Sequence, residues 1–317
     1  MMRPTRAEST APSGVIASFA AGFSLLLAAP LPMLIPVATD ALLLTGPRVS
    51  PTSLAAPIAD AVAQAPNADP AITEFITAWA NDGNLLAIVG WFVPSLVAGL
   101  DAVGIEGFPR AAAWSPDPGA ALLVILGAIL AAVLLVMLYK TLAARVAAET
   151  TLLGDRLIYH VGRNALHYLA FLALMLLAGL VLIVPSGILI AVLQIVGIDL
   201  TPLITFVLST LVIVGAVLFA FVAEAIAANN LGPIAAIRSS IKVVTGSVGQ
   251  TIGLLIISWL VLATTPQVVA RFDGGVVGIA IAVLIYAFVA AGVAVARMIF
   301  YRERAGAPLP PSRSETA

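Results

Sequence analysis

Several apolar runs of the chain contain no charged residue and exceed the roughly 18 residues that mark a candidate membrane span. Residues 119–138 and 249–270 are two of them. The composition agrees, because 61% of the 317 residues are hydrophobic and only 10% are charged. Soluble domains carry roughly 25% charged residues, so this chain lacks the polar surface that would keep it in water. The sequence therefore predicts an integral membrane protein.

Six segments are predicted to cross the membrane as α-helices, since each backbone amide in hydrocarbon must be paired within its own segment. A helix of about 20 residues matches a hydrocarbon core of about 30 Å. The predicted fold class is all-α, a polytopic helical bundle that forms one domain over residues 14–300. The six predicted spans are residues 14–39, 119–138, 165–185, 201–223, 249–270 and 274–296.

The placement of lysine and arginine predicts the direction of the spans, because cytoplasmic loops are rich in both. Six spans with both termini inside leave only Arg48, Arg110 and Arg271 outside. The other basic residues are then cytoplasmic: Arg3, Arg6, Lys140, Arg145, Arg156, Arg163, Arg238, Lys242, Arg297, Arg302, Arg304 and Arg313. We expect cytoplasmic tails at residues 1–13 and 301–317, the second disordered, and a prokaryotic plasma membrane as the location.

The first apolar segment has an alternative interpretation. Arg3 and Arg6 are also typical of the charged start of a cleaved signal peptide. The apolar segment that follows them is long for such a peptide, and Pro30 follows the small residues where cleavage would occur. We therefore expect it to stay in the protein as the first span.

Residues 40–118 form the long extracytoplasmic loop of this topology. Within it, Asp69 and Pro70 are typical of a helix start. Apolar side chains then recur at helical spacing: Ile72, Phe75, Ile76 and Trp79. The pattern predicts a short amphipathic helix that lies on the membrane or covers the bundle.

Two further apolar stretches are ambiguous, because re-entrant, interfacial and spanning arrangements all fit their length. Residues 85–100 contain Pro94 and are short for a span, so we expect an interfacial or re-entrant helix. Residues 186–198 follow Pro185. We expect the third span to end by that proline and this stretch to lie at the outer face.

A small cationic helix is predicted between the fourth and fifth spans. Gly232 and Pro233 indicate its start, and Gly246 permits it to end. One face carries an apolar stripe of Ile234, Ile237, Ile241 and Val244, and another carries Arg238 and Lys242. Such a helix lies in the membrane interface, with its isoleucines among acyl chains and its cations at the headgroups.

Residues 232–246, GPIAAIRSSIKVVTG, resemble a loop of six-span bacterial membrane proteins that include the membrane domain fused ahead of some glycerophosphodiester phosphodiesterases. The matching positions are Ala236, Ile237, Arg238, Ser240, Lys242, Val243 and Gly246. Ile241 stands where that loop usually has tryptophan, and Asn229 where an acidic residue is common. The resemblance implies an uncharacterised multi-pass membrane protein. It does not imply phosphodiesterase activity, since we expect no catalytic domain after Phe300.

The polar residues nearest the predicted spans are a second candidate site. His160 and His167 share a helix face with Arg163 and Asn164, which favours a polar face at the headgroups. Glu224 lies near the end of the fourth span. An ionisable group there is either an intramembrane functional site or a partner of Arg238, Lys242 or Arg297.

Motifs of enzymes are missing from the sequence. It contains no Gly-Lys-Ser/Thr phosphate loop, no His-Glu-x-x-His helix, no Gly-x-Ser-x-Gly turn and no cysteine. We therefore expect no catalytic residue, no metal and no cofactor. An intramembrane enzyme is the least favoured class of function.

Two functions fit the remaining features. The first is a non-enzymatic protein that organises or senses membrane lipid, with Arg145, Arg163, Arg238 and Lys242 contacting anionic headgroups or a protein partner. The second is a permease subunit that works with a separate ATPase, since residues 224–232 partly resemble the Glu-Ala-Ala loop of importer permeases. Pairs of small residues such as Gly249 and Gly253 indicate close helix packing, within one chain or in a homo-oligomer. We expect no nucleic-acid partner.

Overall fold

The structure is a computed structural model that describes residues 14–65, 70–100, 113–154, 156–269 and 275–306. In these residues the chain is helical apart from turns, short connections and one pair of two-residue strands. Five of the described helices are long and apolar enough to cross a membrane, and a bent pair makes up to six. These helices indicate an all-α, multi-pass membrane protein.

The helices are numbered in chain order. Their bounds are Val15–Ala28 (α1), Leu34–Thr45 (α2), Thr52–Ala63 (α3), Pro70–Asp82 (α4), Val89–Phe92 (α5), Leu96–Leu100 (α6), Pro118–Ala147 (α7), Leu157–Ile195 (α8), Thr201–Leu218 (α9), Val222–Asn229 (α10), Pro233–Gly246 (α11), Val248–Val269 (α12) and Gly275–Ala305 (α13). Two 3-10 turns, Leu31–Met33 and Leu85–Ile88, precede α2 and α5, and strands Arg48–Val49 (β1) and Ala113–Trp114 (β2) pair in parallel.

The first predicted span contains a sharp bend. The chain turns by 90° between α1 and the helical segment that starts at Leu31. Pro30 and Pro32 lie at this point, and proline interrupts an α-helix because it lacks the backbone N–H donor. Residues 14–39 are therefore two helical pieces and not one straight helix.

Helix α8 is longer than the sequence predicts. It passes through Pro185 and continues to Ile195 without a break, whereas the sequence placed the end of the third span by that proline. The Ser186 hydroxyl, just after the proline, donates to the Leu182 carbonyl one turn earlier at 2.7 Å. The stretch predicted to lie at the outer face is mostly the last part of this helix. Gly197, in the left-handed conformation with φ of 81°, ends it.

The chain divides into two compact units, which are described separately. The first unit comprises Met1–Leu25, Ala143–Ile257 and Ala294–Ala317, and it contains all of α8, α9, α10 and α11. Within it, α1 packs closely against α13 because Gly22 has no side chain. A Cβ atom at Gly22 would lie 2.7 Å from the backbone nitrogen of Ala296.

The second unit comprises Leu26–Leu142 and Ser258–Val293. In it, α3 and α4 pack as a helical hairpin, and the Thr52 hydroxyl donates to the Ala80 carbonyl at 2.7 Å. Helix α4 is the amphipathic helix predicted from the sequence, although Asp69 lies outside the described residues. Its apolar side faces outward, with Phe75 72% and Trp79 41% exposed.

Residues 85–100 form short helical pieces that are fastened by a buried carboxylate. Asp40 of α2 is fully buried and accepts hydrogen bonds from the Ser95 hydroxyl at 2.5 Å and from the Leu96 and Val97 backbone nitrogens at 3.1 Å each. The carboxylate thus satisfies the first donors of α6. The segment is not one helix of spanning length, because it breaks around Pro94.

Small residues line the buried side of α13. Ala287 and Ala291 are fully buried and Ala290 is 1% exposed. The Tyr139 hydroxyl of α7 donates to the Ala290 carbonyl at 2.8 Å, which small neighbouring side chains permit. The two glycines of the predicted pair differ. A Cβ atom added at Gly253 would lie 3.9 Å from a methyl group of Val15, whereas one added at Gly249 would have no atom within 4 Å.

Candidate functional site

The cationic helix predicted from the sequence is α11, and it lies in the first unit. Pro233 is its first residue. A backbone N–H at that position has no acceptor within the helix, so the N–H that proline lacks is not missed. Arg238 and Lys242 are both exposed. Neither takes part in an ion pair within the described part of the chain. Their charges are therefore available at the surface of this unit.

The apolar stripe of α11 divides between surface and interior. Ile234 is 51% exposed, whereas Val244, at the other end of the predicted stripe, is only 2% exposed. Ala236, Ser240 and Val243 are also buried. The stripe is therefore not wholly directed to acyl chains as predicted, because small side chains on the neighbouring face let α11 approach the protein closely.

Ser240 binds a break in the helix that precedes α11. Helix α9 ends at Leu218, and the short break before α10 leaves backbone groups without helical partners. The Ser240 hydroxyl donates to the Leu218 carbonyl at 2.7 Å and accepts from the Phe221 nitrogen at 3.1 Å. Arg297 of α13 donates to the Ala220 carbonyl at 2.5 Å. Side chains from two other helices thus stabilise the break.

An ion pair lies directly beside this break. Glu224 of α10, with 1% of its side chain exposed, is 3.1 Å from Nε of Arg297, whose side chain is 22% exposed. The Arg297 guanidinium also lies 5.8 Å from the centre of the Phe221 ring. Of the three partners considered for Glu224, the structure therefore brings Arg297 to it, while Arg238 and Lys242 point to the surface.

Tyr301 connects α10, α11 and α13. Its side chain is fully buried, and its hydroxyl lies 3.1 Å from the Asn229 amide nitrogen and 2.7 Å from the Ser239 hydroxyl. Three helices therefore share one small network of neutral polar groups. A buried tyrosine hydroxyl usually needs such a partner.

One face of α8 presents polar side chains to this region. They recur at intervals of three and four residues and so lie on the same side of the helix: His160, Arg163, Asn164, His167 and Tyr168. We call these residues the α8 polar face. The sequence predicted this face for its first four members.

Some members of the α8 polar face form hydrogen bonds, and others have polar atoms that do not. His160 Nδ1 lies 3.2 Å from Oδ1 of Asn230, and Arg163 donates to the Asn230 carbonyl over 3.5 Å. Asn164 is fully buried, yet neither atom of its amide has a hydrogen-bond partner. His167 Nδ1 and Arg163 Nε are also buried without a hydrogen bond.

Tyr168 joins the α8 polar face to the ion pair. Its phenol interacts electrostatically with both Glu224 and Arg297. We call the α8 polar face together with Glu224, Arg297 and Asn230 the polar cluster. Glu224 is the one carboxylate among these residues, and it already has a guanidinium partner in Arg297.

Arg145, the remaining predicted headgroup contact, lies apart from the polar cluster. It is near the end of α7 and donates to the carbonyls of Leu152 at 2.7 Å and Thr151 at 3.3 Å. The guanidinium therefore braces the loop between α7 and α8. Its contact with lipid stays a prediction.

Sequence reasoning missed the neutral groups of this region. Ser239, Ser240 and Tyr301 each bind a group far away in the chain, and nothing in their local spacing indicates that. Hydroxyl side chains within otherwise apolar helices are the one signal that could have identified them. Among the described residues, no three His, Asp or Glu side chains could hold a metal ion, and the expected lack of a metal stays a prediction.

The long apolar helices of the described residues define the class of this chain as a helical multi-pass membrane protein. Comparisons with protein-family models, with curated proteins and with solved structures found no match. The resemblance of residues 232–246 to a loop of six-span bacterial proteins therefore depends on those residues alone.

Proposed function

We propose that this chain is a non-enzymatic membrane protein that organises anionic lipid on the cytoplasmic leaflet through α11. It crosses a prokaryotic plasma membrane six times, with both termini inside. The distribution of lysine and arginine supports this direction, since the loops that contain Arg163 and Arg238 are basic. In this topology α11 lies at the inner interface.

The exposed cations of α11 are the observation that carries the proposal. Arg238 and Lys242 are four residues apart and therefore lie on the same side of the helix. Ile234, on the adjacent side, is 51% exposed. A surface that combines an exposed aliphatic side chain with unpaired cations matches the boundary between acyl chains and anionic headgroups.

The energy available is modest, and it favours a local effect. Each cation near an anionic leaflet contributes about 1 kcal/mol, so two contribute about 2 kcal/mol. That is too little to anchor a protein. It is enough to enrich anionic lipid about thirtyfold over neutral lipid beside α11, since 1.4 kcal/mol is a factor of ten in an equilibrium constant. The neighbouring spans already hold α11 in place.

Lipid retention by the purified protein tests this proposal. We expect the double variant Arg238→Gln, Lys242→Gln to retain several-fold less phosphatidylglycerol than the wild type in native mass spectrometry, because both headgroup partners are removed. Arg156→Gln, which neutralises an exposed cation outside α11, is the matched control and should retain nearly as much as the wild type.

Two results would contradict the proposal. Equal phosphatidylglycerol retention by the double variant and the wild type would show that α11 does not hold anionic lipid. Loss of a co-purifying ATPase from the double variant, with lipid retention unchanged, would instead support the permease subunit, in which α11 couples the spans to that ATPase.

A further inference from the structure

The α8 polar face has more buried hydrogen-bonding groups than its neighbours satisfy. Asn164 is fully buried and both its donor and its acceptor lack a partner. Arg163 Nε and His167 Nδ1 are buried without a hydrogen bond as well. Buried polar atoms are nearly always paired, and leaving them unpaired is costly. The unpaired groups of Arg163, Asn164 and His167 therefore indicate that this face of α8 binds a ligand.

The charge of the site favours an anionic ligand. Arg163 is always protonated, and the imidazoles of His160 and His167 can donate hydrogen bonds. Glu224 of α10, a helix that contacts α8, is in an ion pair with Arg297 at 3.1 Å. The hydrogen bond from Arg163 to Asn230 is long, at 3.5 Å. Within the described residues, no carboxylate forms an ion pair with these donors.

The depth of the site favours a lipid headgroup. Arg163 is the last charged residue of α8, and none follows before Asp199. The polar face therefore meets the apolar part of the helix where phosphates and acyl chains meet in a membrane. His160, Arg163 and His167 are only partly buried, so a ligand can reach them from the surface.

We propose that the α8 polar face binds the phosphate of one phospholipid. Phosphate oxygens accept hydrogen bonds from Arg163, from the Asn164 amide nitrogen and from the protonated Nδ1 of His167. The Asn164 amide oxygen accepts from a hydroxyl or ammonium group of the same headgroup. Arginine suits this role because its planar guanidinium matches phosphate oxygens. The site uses no residue of α11, so it is independent of the function proposed above.

Thermal unfolding of the detergent-solubilised full chain tests the site. We expect added phosphatidylglycerol to raise the unfolding midpoint of the wild type by several degrees. Arg163→Gln and Asn164→Leu should lose most of that shift. Tyr159→Phe, on the exposed side of the same helix, and Arg238→Gln should keep it. In native mass spectrometry the wild type should hold one phospholipid at high salt, and both site variants should hold at least tenfold less.

Asn164→Leu also separates binding from folding. It replaces an unpaired amide by an apolar side chain of similar size, so the lipid-free variant should unfold no lower than the lipid-free wild type. Glycerol 1-phosphate alone is the second ligand to be tested. A midpoint shift as large as that from phosphatidylglycerol would confirm the phosphate site and assign it to a soluble phosphate ester.

Retention of the full lipid-induced shift by both Arg163→Gln and Asn164→Leu would overturn the proposal. A lipid-free Asn164→Leu variant that unfolds well below the wild type would also overturn it, because the amide would then be paired inside the protein.

Discussion

Glu224 and Arg297 illustrate how single charges are accommodated in an apolar chain. Taking a carboxylate out of water costs several kcal/mol unless a partner compensates it. Glu224 has 1% of its side chain exposed, and Arg297 lies 3.1 Å away. Arg297 also donates to the Ala220 carbonyl, so one guanidinium serves both the carboxylate and the helix break. Removing either charge therefore breaks this ion pair.

Glu224→Gln should destabilise the protein by about 3 to 5 kcal/mol, the usual cost of breaking a buried ion pair from one side. Arg297→Gln should cost a similar amount, and the double variant less than the sum of the two. Thermal unfolding in detergent measures all three.

Asp82→Asn is the control, because Asp82 is 76% exposed and lies 3.8 Å from Arg48. Exposed pairs contribute at most about 1 kcal/mol. A Glu224→Gln protein as stable as the control would show that the ion pair does not hold α10 to α13.

At the scale of elements, close approach between helices depends on very small residues. Gly22 of α1 faces the backbone of Ala296 in α13, and an added Cβ would lie 2.7 Å from its nitrogen and 2.8 Å from its Cα. Backbone atoms cannot rotate away as a side chain can. The two helices would have to move apart to admit even a methyl group.

Gly22→Ala should therefore destabilise the protein by about 1 to 3 kcal/mol, the usual cost of overpacking. Gly179→Ala in α8 is the matched control, since nothing lies within 4 Å of the added methyl group. Alanine favours helix there. An unfolding midpoint lowered equally by both changes would contradict the contact between α1 and α13.

Local sequence patterns predicted most of the helices. They were insufficient where contacts with other parts of the chain determine the structure. The amphipathic helix at Pro70–Asp82 and the cationic helix at Pro233–Gly246 follow from spacing and proline position. The continuation of α8 past Pro185 does not, because proline is tolerated in a helix when neighbouring groups satisfy the freed carbonyls. Which face of α11 is buried depends on Ser240 and the break at Leu218, 22 residues apart.

At the scale of the whole molecule, the apolar runs predicted an all-α membrane protein because hydrocarbon admits few other arrangements. The candidate site was less predictable. Spacing placed His160, Arg163, Asn164 and His167 on one face, but it could not choose the partner of Glu224. That partner is 73 residues away by chain number, and only the folded chain brings the two together.

Cysteine accessibility measures the proposed topology, six crossings with both ends inside, most directly. The chain has no cysteine of its own, so single cysteines at Asp82, Thr151, Asp199 and Thr245 can be labelled separately in intact cells with an impermeant maleimide. We predict labelling at Asp82 and Asp199, and protection at Thr151 and Thr245 until the cells are opened. Labelling of Thr151 or Thr245 in intact cells would contradict the topology and remove α11 from the cytoplasmic leaflet.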